Sequence, residues 1–490
     1  MTQQESDRID PFVWRISIVV VLGSIMSILD STIVNVALDT LHRDLNASIS
    51  QIQWVVTGYL LSLAAVIPVT GWAARSFGAK RLYLLSLVLF TAGSALCGLA
   101  GSSTELIVFR VLQGVGGGMI MPVGQLMLAE AAGPKRMGRV MSIVAVPMLL
   151  APILGPTIGG LIIDSTSWRW IFYVNVPIGV IAVVASMRIL PSVGRQPVQR
   201  LDLVGLALIA TGLPLLTYGL AEVGTLGSFT AAKVLVPGLL GIALVASFCV
   251  YELRKRTGKP LLDLHLYRKT TFSTASLATF CIGAALFGAM ILLPLYWQTV
   301  RGDSALVAGA LLAPQGLGAA LMMPLAGKLT DRWGGGPLAL LGVIAIAGFT
   351  IPFGMIGAHT SVAWLCVVMF LRGTGLGFAM MPTMAAAYAA LDRAELSDAT
   401  PQLNVLQRVG GSIGTAVLAV VLQRAMVGAH SLGDLAGAYG TAFWWSAALA
   451  AAAIIPAVVL WRAEHVARAR ARRERPADGQ SEPHLEAIGA

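Results

Sequence analysis

The chain has 490 residues, 56% of them hydrophobic and only 12% charged, with a mean hydropathy of +0.78. Soluble chains carry about 25% charged residues, so a water-covered globule of this length is excluded and lipid must be the solvent for most of the chain. The net charge of +10 is spread through short loops rather than gathered on a soluble basic face, which excludes a nucleic-acid partner.

A spanning helix needs about 20 mainly apolar residues. Such runs are predicted near 14–38, 52–74, 82–100, 106–129, 138–163, 170–190, 203–221, 231–252, 271–298, 305–326, 337–357, 361–387, 402–426 and 438–461, fourteen in all. They are numbered here as spans 1 to 14, and the bilayer is the first expected partner. No cleavable signal peptide is expected, because the first run follows a polar start and is long enough to span. The predicted organisation is an N-terminal segment 1–13, a six-helix bundle 14–190, an insert 191–260 with spans 7 and 8, a second six-helix bundle 261–461 and a basic, disordered tail 462–490. An even count puts both ends on one side. Twenty-six of the 34 Lys and Arg fall on that side and five on the other, so both termini are expected in the cytoplasm of a cell inner or plasma membrane.

Motifs follow in chain order. Span 1 carries Leu29-Asp30-Ser-Thr-Ile-Val-Asn35-Val-Ala-Leu38, and span 2 is followed by Gly71-Trp-Ala-Ala-Arg75-Ser-Phe-Gly78-Ala-Lys80-Arg81. Span 4 holds Arg110-Val-Leu-Gln113-Gly114-Val-Gly116, and span 5 holds Ala151-Pro-Ile-Leu-Gly155-Pro156-Thr-Ile-Gly159-Gly160. Span 6 begins Trp168-Arg-Trp-Ile-Phe-Tyr-Val-Asn175-Val-Pro177, and span 7 is introduced by Leu201-Asp202-Leu-Val-Gly205. Gly327-Lys-Leu-Thr-Asp331-Arg332-Trp-Gly334 after span 10 repeats the loop after span 2, and Arg372-Gly-Thr-Gly375-Leu-Gly377 in span 12 repeats span 4. Both offsets are about 260 residues, so spans 1–6 and 9–14 are related halves.

With these motifs the chain resembles the major facilitator superfamily, in particular its fourteen-helix drug:proton antiporter branch (EmrB/QacA type). The resemblance implies an all-α fold of two six-helix halves related by a pseudo-twofold axis, with two extra central helices. It also implies gating by the loops with Gly71, Arg75, Gly78, Lys80, Arg81, Gly327, Asp331, Arg332 and Gly334. The span 5 residues Ala151, Gly155, Pro156, Gly159 and Gly160 match its antiporter motif, which implies a tight seam with span 10. Three positions depart from the pattern: Arg75 stands where Asp is usual, Asp39 where Pro is usual, and Ala151 in place of a leading Gly.

Asp30 is the only carboxylate well inside a predicted span. An ionised side chain there costs at least about 2.5–3.5 kcal/mol, so it must be paired, protonated or wetted. Arg110 lies at similar depth in the neighbouring direction. A nearby cation favours the charged carboxylate and burial the neutral one, so Asp30 is expected to bind the proton and Arg110 to modulate it. A permanent bridge locking two helices is the alternative. Arg372 and Arg408 have no acid at matching depth, and Arg408 is expected to snorkel towards the cytoplasm. Asn35, Trp54, Tyr59, Gln113, Met119, Met121, Tyr296, Gln298, Gln315, Arg372, Met380 and Tyr388 are candidates to line an adaptable substrate cavity, and Trp297, Trp333, Trp444 and Trp445 are read as interfacial anchors.

The expected function is proton-coupled export of amphipathic or hydrophobic small molecules by alternating access. An uptake symporter or a transporter of lipids or lipophilic metabolites is the alternative. The six histidines are scattered in loops and tails, which argues against a membrane enzyme. No P-loop occurs, so the proton gradient is the expected energy source. The four cysteines lack metal or disulfide spacing, so neither metal nor cofactor is expected, and the protein is expected to work as a monomer.

Overall fold

The computed structural model describes residues 10–133, 136–191, 200–255 and 260–473. Among these, thirteen helices are long and apolar enough to cross a membrane. The 29-residue helix Met137–Ser165 occupies the position predicted for span 5. The fold is therefore an all-helical, multi-pass membrane protein with no strand among the described residues.

Local sequence explains the helix ends. Asp10 caps span 1 (Pro11–Val36) through the Phe12 N–H, with Pro11 at the first helical position. Ser48 and Gln51 form a reciprocal capping box at the start of span 2. Pro68 interrupts span 2 with a 3₁₀ turn at Ile67–Val69 before the helix resumes at Thr70–Phe77, because proline supplies no N–H to the ladder. Gly78 and Gly334, at φ 86° and 98°, make the tight reversals after spans 2 and 10, in a region costly for any residue with a Cβ.

The halves pack in matching ways. Span 1 lies on spans 4, 5 and 6, and span 9 (Thr270–Thr299) lies correspondingly on spans 12, 13 and 14. Between halves, span 5 packs on span 10, and span 13 (Leu396–Met426) on span 2. These are one contact repeated by a twofold. The insert forms a hairpin of Leu203–Leu226 and Ala232–Arg254 whose first helix rests on spans 2 and 13. Trp54 of span 2 stacks on Tyr218 of the insert, ring centroids 5.8 Å apart.

The tail departs from expectation. Residues 462–473 continue the last helix, Ile454–Arg473, rather than forming a disordered segment; 474–490 lie outside the described residues. Glu464 accepts the N–H groups of Gly335 (3.1 Å) and Gly336 (2.6 Å) at the start of span 11. A carboxylate on a helix N-terminus satisfies orphan donors and complements the positive end of the dipole, which holds the tail in place. Trp297 is fully buried and is no interfacial anchor, whereas Trp333, Trp444 and Trp445 are exposed.

At the same end, Asp202 caps the first insert helix through the Gly205 N–H (3.0 Å) and accepts from Lys255 Nζ (2.5 Å) and the Tyr251 hydroxyl (3.1 Å). Burial opposes its charge, but these donors outweigh burial and hold its pKa below the ordinary carboxylate value. A depressed carboxylate pKa contributes stability that is full above the unfolded value of about 3.9 and is lost as pH falls through the folded value. Asp202→Ala should therefore cost about 1 kcal/mol at neutral pH. Thermal unfolding in detergent should show this gap narrowing below about pH 4; a gap unchanged in acid would mean the charge is irrelevant.

Candidate functional site

The first element of the site is a buried ionic knot in the first half. Asp30 and Arg110 are both 0% exposed. Arg110 Nη1 donates to Asp30 Oδ2 (2.5 Å) and to Gln113 Oε1 (2.8 Å), and its Nε donates to the Val55 carbonyl (3.2 Å). Gln113, one turn on along span 4, donates to Asp30 Oδ1 (2.9 Å), as does Asn175 of span 6 (2.9 Å). The Tyr59 ring lies against the guanidinium, 4.0 Å from its centroid. Spans 1, 4 and 6 thus meet at one carboxylate, and span 2 meets the guanidinium bound to it. The motif containing Asn175 was legible, but its bond to Asp30 was not, since sequence does not show which face of span 6 points inward.

The second element is a cavity of about 370 Å³ between the halves. Its walls include Asn35, Tyr59 and Met121 from the first half and Gln315, Met380 and Arg408 from the second. Asp30 is not among its lining residues; Tyr59 lies between them, lining the cavity and carrying the Arg110 guanidinium over its ring.

Several predicted lining residues lie elsewhere. Trp54 is engaged with the insert, Gln113 is in the knot, and Met119 is in the first-half core. Tyr296 is buried and donates to the Gly357 carbonyl (2.8 Å), Gln298 faces outward near the end of span 9, and Tyr388 is buried in the core. Arg372 sits behind the wall, its Nη1 donating to Gln315 Oε1 (2.7 Å) and its Nε to Thr350 Oγ1 (3.0 Å). Arg408 does not snorkel: it lies twelve residues into span 13 and faces the cavity. Residue type favours polar and aromatic guesses, but packing direction decides them. The Ser24, Ser27 and Ser31 stripe on span 1, at one-turn spacing, is the readable signal of the face that span 1 turns inward.

The third element is a pair of latches at the end of the bundle that carries the loops after spans 2 and 10. Arg75 Nη1 donates to Ser397 Oγ (3.0 Å) and Asp398 Oδ1 (2.5 Å) at the start of span 13. Asp331 Oδ1 accepts the Gly138 N–H (3.1 Å) at the start of span 5, and its Oδ2 lies 3.7 Å from Arg139 Nε. Gly71 and Gly327 permit these approaches. A Cβ on Gly71 would strike the Ser397 carbonyl, and one on Gly327 would sit 2.8 Å from the Gly138 carbonyl. Asn404 also bridges the halves, donating to Gln125 Oε1 (2.8 Å). Lys80 does not cross to the other half; it caps span 6 by donating to the Leu190 (2.5 Å) and Met187 (3.1 Å) carbonyls. Arg81 and Arg332 are exposed.

The antiporter-motif glycines also differ from expectation. Gly155 and Gly159 abut Thr32 and Ile33 of span 1, and no described residue would meet a Cβ on Gly160. Ala151 is buried and Pro156 lies within the same helix. Among the described residues, close contacts with span 10 are made at Gly138 and Ser142, against Gly327 and Thr330. The motif therefore brings span 5 tightly onto the helix that bears Asp30.

Duplicated helical halves around a cavity, with a buried charged pair beside it, define a secondary membrane transporter. The chain belongs to the Major Facilitator Superfamily, whose family model matches residues 20–415. It is 40% identical over 418 residues to the "Multidrug resistance protein B homolog" of Mycobacterium tuberculosis (strain ATCC 25618 / H37Rv), covering 85% of this chain and 77% of that protein. It is 32% identical over 404 residues to the "Multidrug export protein EmrB" of Escherichia coli (strain K12), covering 81% and 77%. These relatives agree with the EmrB/QacA-type branch. The crystal structure of the human organic anion transporter MFSD10 (TETRAN) is similar at a TM-score of 0.65 and 15% identity, over 91% of this chain and 100% of that one; this bears on the fold alone. Membership makes the chain a transporter of small molecules across a bilayer rather than an enzyme.

Proposed function

We propose that the protein is a monomeric proton-driven antiporter of the cell membrane, with both termini in the cytoplasm, that exports amphipathic or hydrophobic small molecules. The carrying observation is the Asp30 knot: a carboxylate fully removed from solvent, held by three donors, and separated from the cavity by Tyr59. The names of the relatives as multidrug resistance and export proteins support the direction of transport and the breadth of substrates.

In this reading the ends closed by the Arg75 and Asp331 latches face the cytoplasm, so the described shape has turned its cavity away from that side. Protonation of Asp30 cancels the charge that holds Arg110. The guanidinium then lets Tyr59 shift, and the halves rock about the span 5–10 and span 2–13 contacts. Deprotonation towards the cytoplasm restores the knot. Proton entry down its gradient thus drives the return of the halves that lets substrate leave on the far side.

Everted membrane vesicles acidified by respiration provide the test. Adding an exported compound should raise the lumenal pH, read by a pH-sensitive dye, in vesicles containing the protein and not in those lacking it. A substrate-dependent pH change of the opposite sign would identify an uptake symporter and overturn the proposal.

A further inference from the structure

Among the described residues the cavity wall carries one formal charge, and it is positive. Arg408 lines the cavity and has no hydrogen bond or ion pair among the described residues. It lies about 18 Å along span 13 from the helix start at 1.5 Å per residue, well inside the helix rather than at its end. No carboxylate lines the cavity among the described residues, and the second-half sequence has none inside its spans at this depth. Arg372, behind Gln315, adds a second cation with only neutral partners. A guanidinium left uncompensated in a membrane interior is costly and marks a functional site.

A second observation points to what Arg408 awaits. A cleft of about 60 Å³ opens beside it on the first-half side, sharing Ile28, Ser31, Tyr59 and Met121 with the main cavity. Its walls carry the hydroxyls of Ser24, Ser27, Ser31 and Tyr59. Ser24 is 1% exposed, and its Oγ has no hydrogen-bond partner. A buried hydroxyl and a guanidinium thus line the same cleft, neither with a hydrogen-bond partner among the described residues. The remainder of the cavity is largely apolar, with Leu286, Met290, Leu312 and Met380 on the second-half side.

We propose that this cavity selects amphipathic organic anions, seating the anionic head between Arg408 and Ser24 and the apolar body against the second half. The ligand supplies an acceptor to which both groups can donate, and the guanidinium fork suits a carboxylate or sulfonate. Lipophilic cations meet a positive wall with no carboxylate to pair with. The proposal rests on the reading of this cavity as the substrate site, and it adds the charge class of the substrate.

Two fluorescent probes of one skeleton test it: 8-anilino-1-naphthalenesulfonate, and N-phenyl-1-naphthylamine, which lacks the sulfonate. Binding is titrated on the full protein in nanodiscs, with empty nanodiscs subtracted. Arg408→Gln should weaken the sulfonate by about tenfold or more while leaving the neutral probe within about twofold, since a charge-assisted hydrogen bond is lost. Arg408→Lys should give an intermediate loss and Ser24→Ala a loss of about threefold, again for the sulfonate alone. The neutral probe reports that the cavity is intact, and the milder variants decide the matter should Arg408→Gln not fold. If both probes weaken together, or the sulfonate is indifferent to all three changes, the proposal is wrong. No gradient enters this measurement, so an absence of proton exchange would defeat the antiporter reading and leave the contrast between probes standing.

Discussion

Asp30→Asn is expected to reduce substrate-driven proton movement in reconstituted vesicles to that of vesicles without protein. The substitution keeps the shape and one acceptor oxygen but removes the only carboxylate in the knot, so nothing remains at that depth to carry H⁺. It also strands the Arg110 charge, whose Nη1 now faces Asp30 Oδ2 at 2.5 Å. Removing one partner of a buried pair costs about 3–5 kcal/mol, so the variant should unfold at lower temperature. That dual effect is separable. The double variant Asp30→Asn, Arg110→Gln removes both charges, and it should regain much of the lost thermal stability while remaining inactive. Should the double variant recover proton-linked transport, the pair is a helix lock and the proton binds elsewhere.

Reversal of the first latch should have the next largest effect. Arg75→Asp places two acids together at the start of span 13, where Arg75 and Asp398 side chains are 8% and 16% exposed. Loss of a pair this buried is worth about 3–5 kcal/mol before repulsion is counted, enough to shift a two-state equilibrium towards the open shape. Adding Asp398→Arg restores opposite charges in swapped order and should restore the closed population. Spin labels at the exposed positions 81 and 393 would report this as a longer distance distribution in the single variant and its reversal in the double. An unchanged distribution in Arg75→Asp would mean that the Asp331 latch and backbone packing close this end alone.

The two latches also explain the departure at Arg75. In the second half an acid, Asp331, reaches to the start of span 5, where it meets a backbone N–H and Arg139. In the first half a base, Arg75, reaches to the equivalent start of span 13, where it meets Asp398. Inverting the charge in the loop is compatible with the fold because the partner across the interface is inverted too. The contact is retained and its polarity is exchanged.

What the amino-acid order determined by itself is what bilayer physics reads directly. Apolar runs of spanning length produced the helix positions, and the internal repeat produced the two halves. The isolation of Asp30 marked it as a residue needing a partner, and depth counted along spans 1 and 4 was enough to bring Arg110 beside it. Helix rotation was not available from the order of residues. Each lipid-embedded helix is apolar nearly all round, so no amphipathic stripe says which face meets a neighbour. Only the tertiary structure decided that Trp54 and Gln113 leave the cavity while Arg408 enters it, that Gly155 and Gly159 meet span 1, and that Glu464 binds the tail to span 11. Hydropathy sets how far a helix reaches across the membrane; close packing between helices sets which side chains meet once it is there.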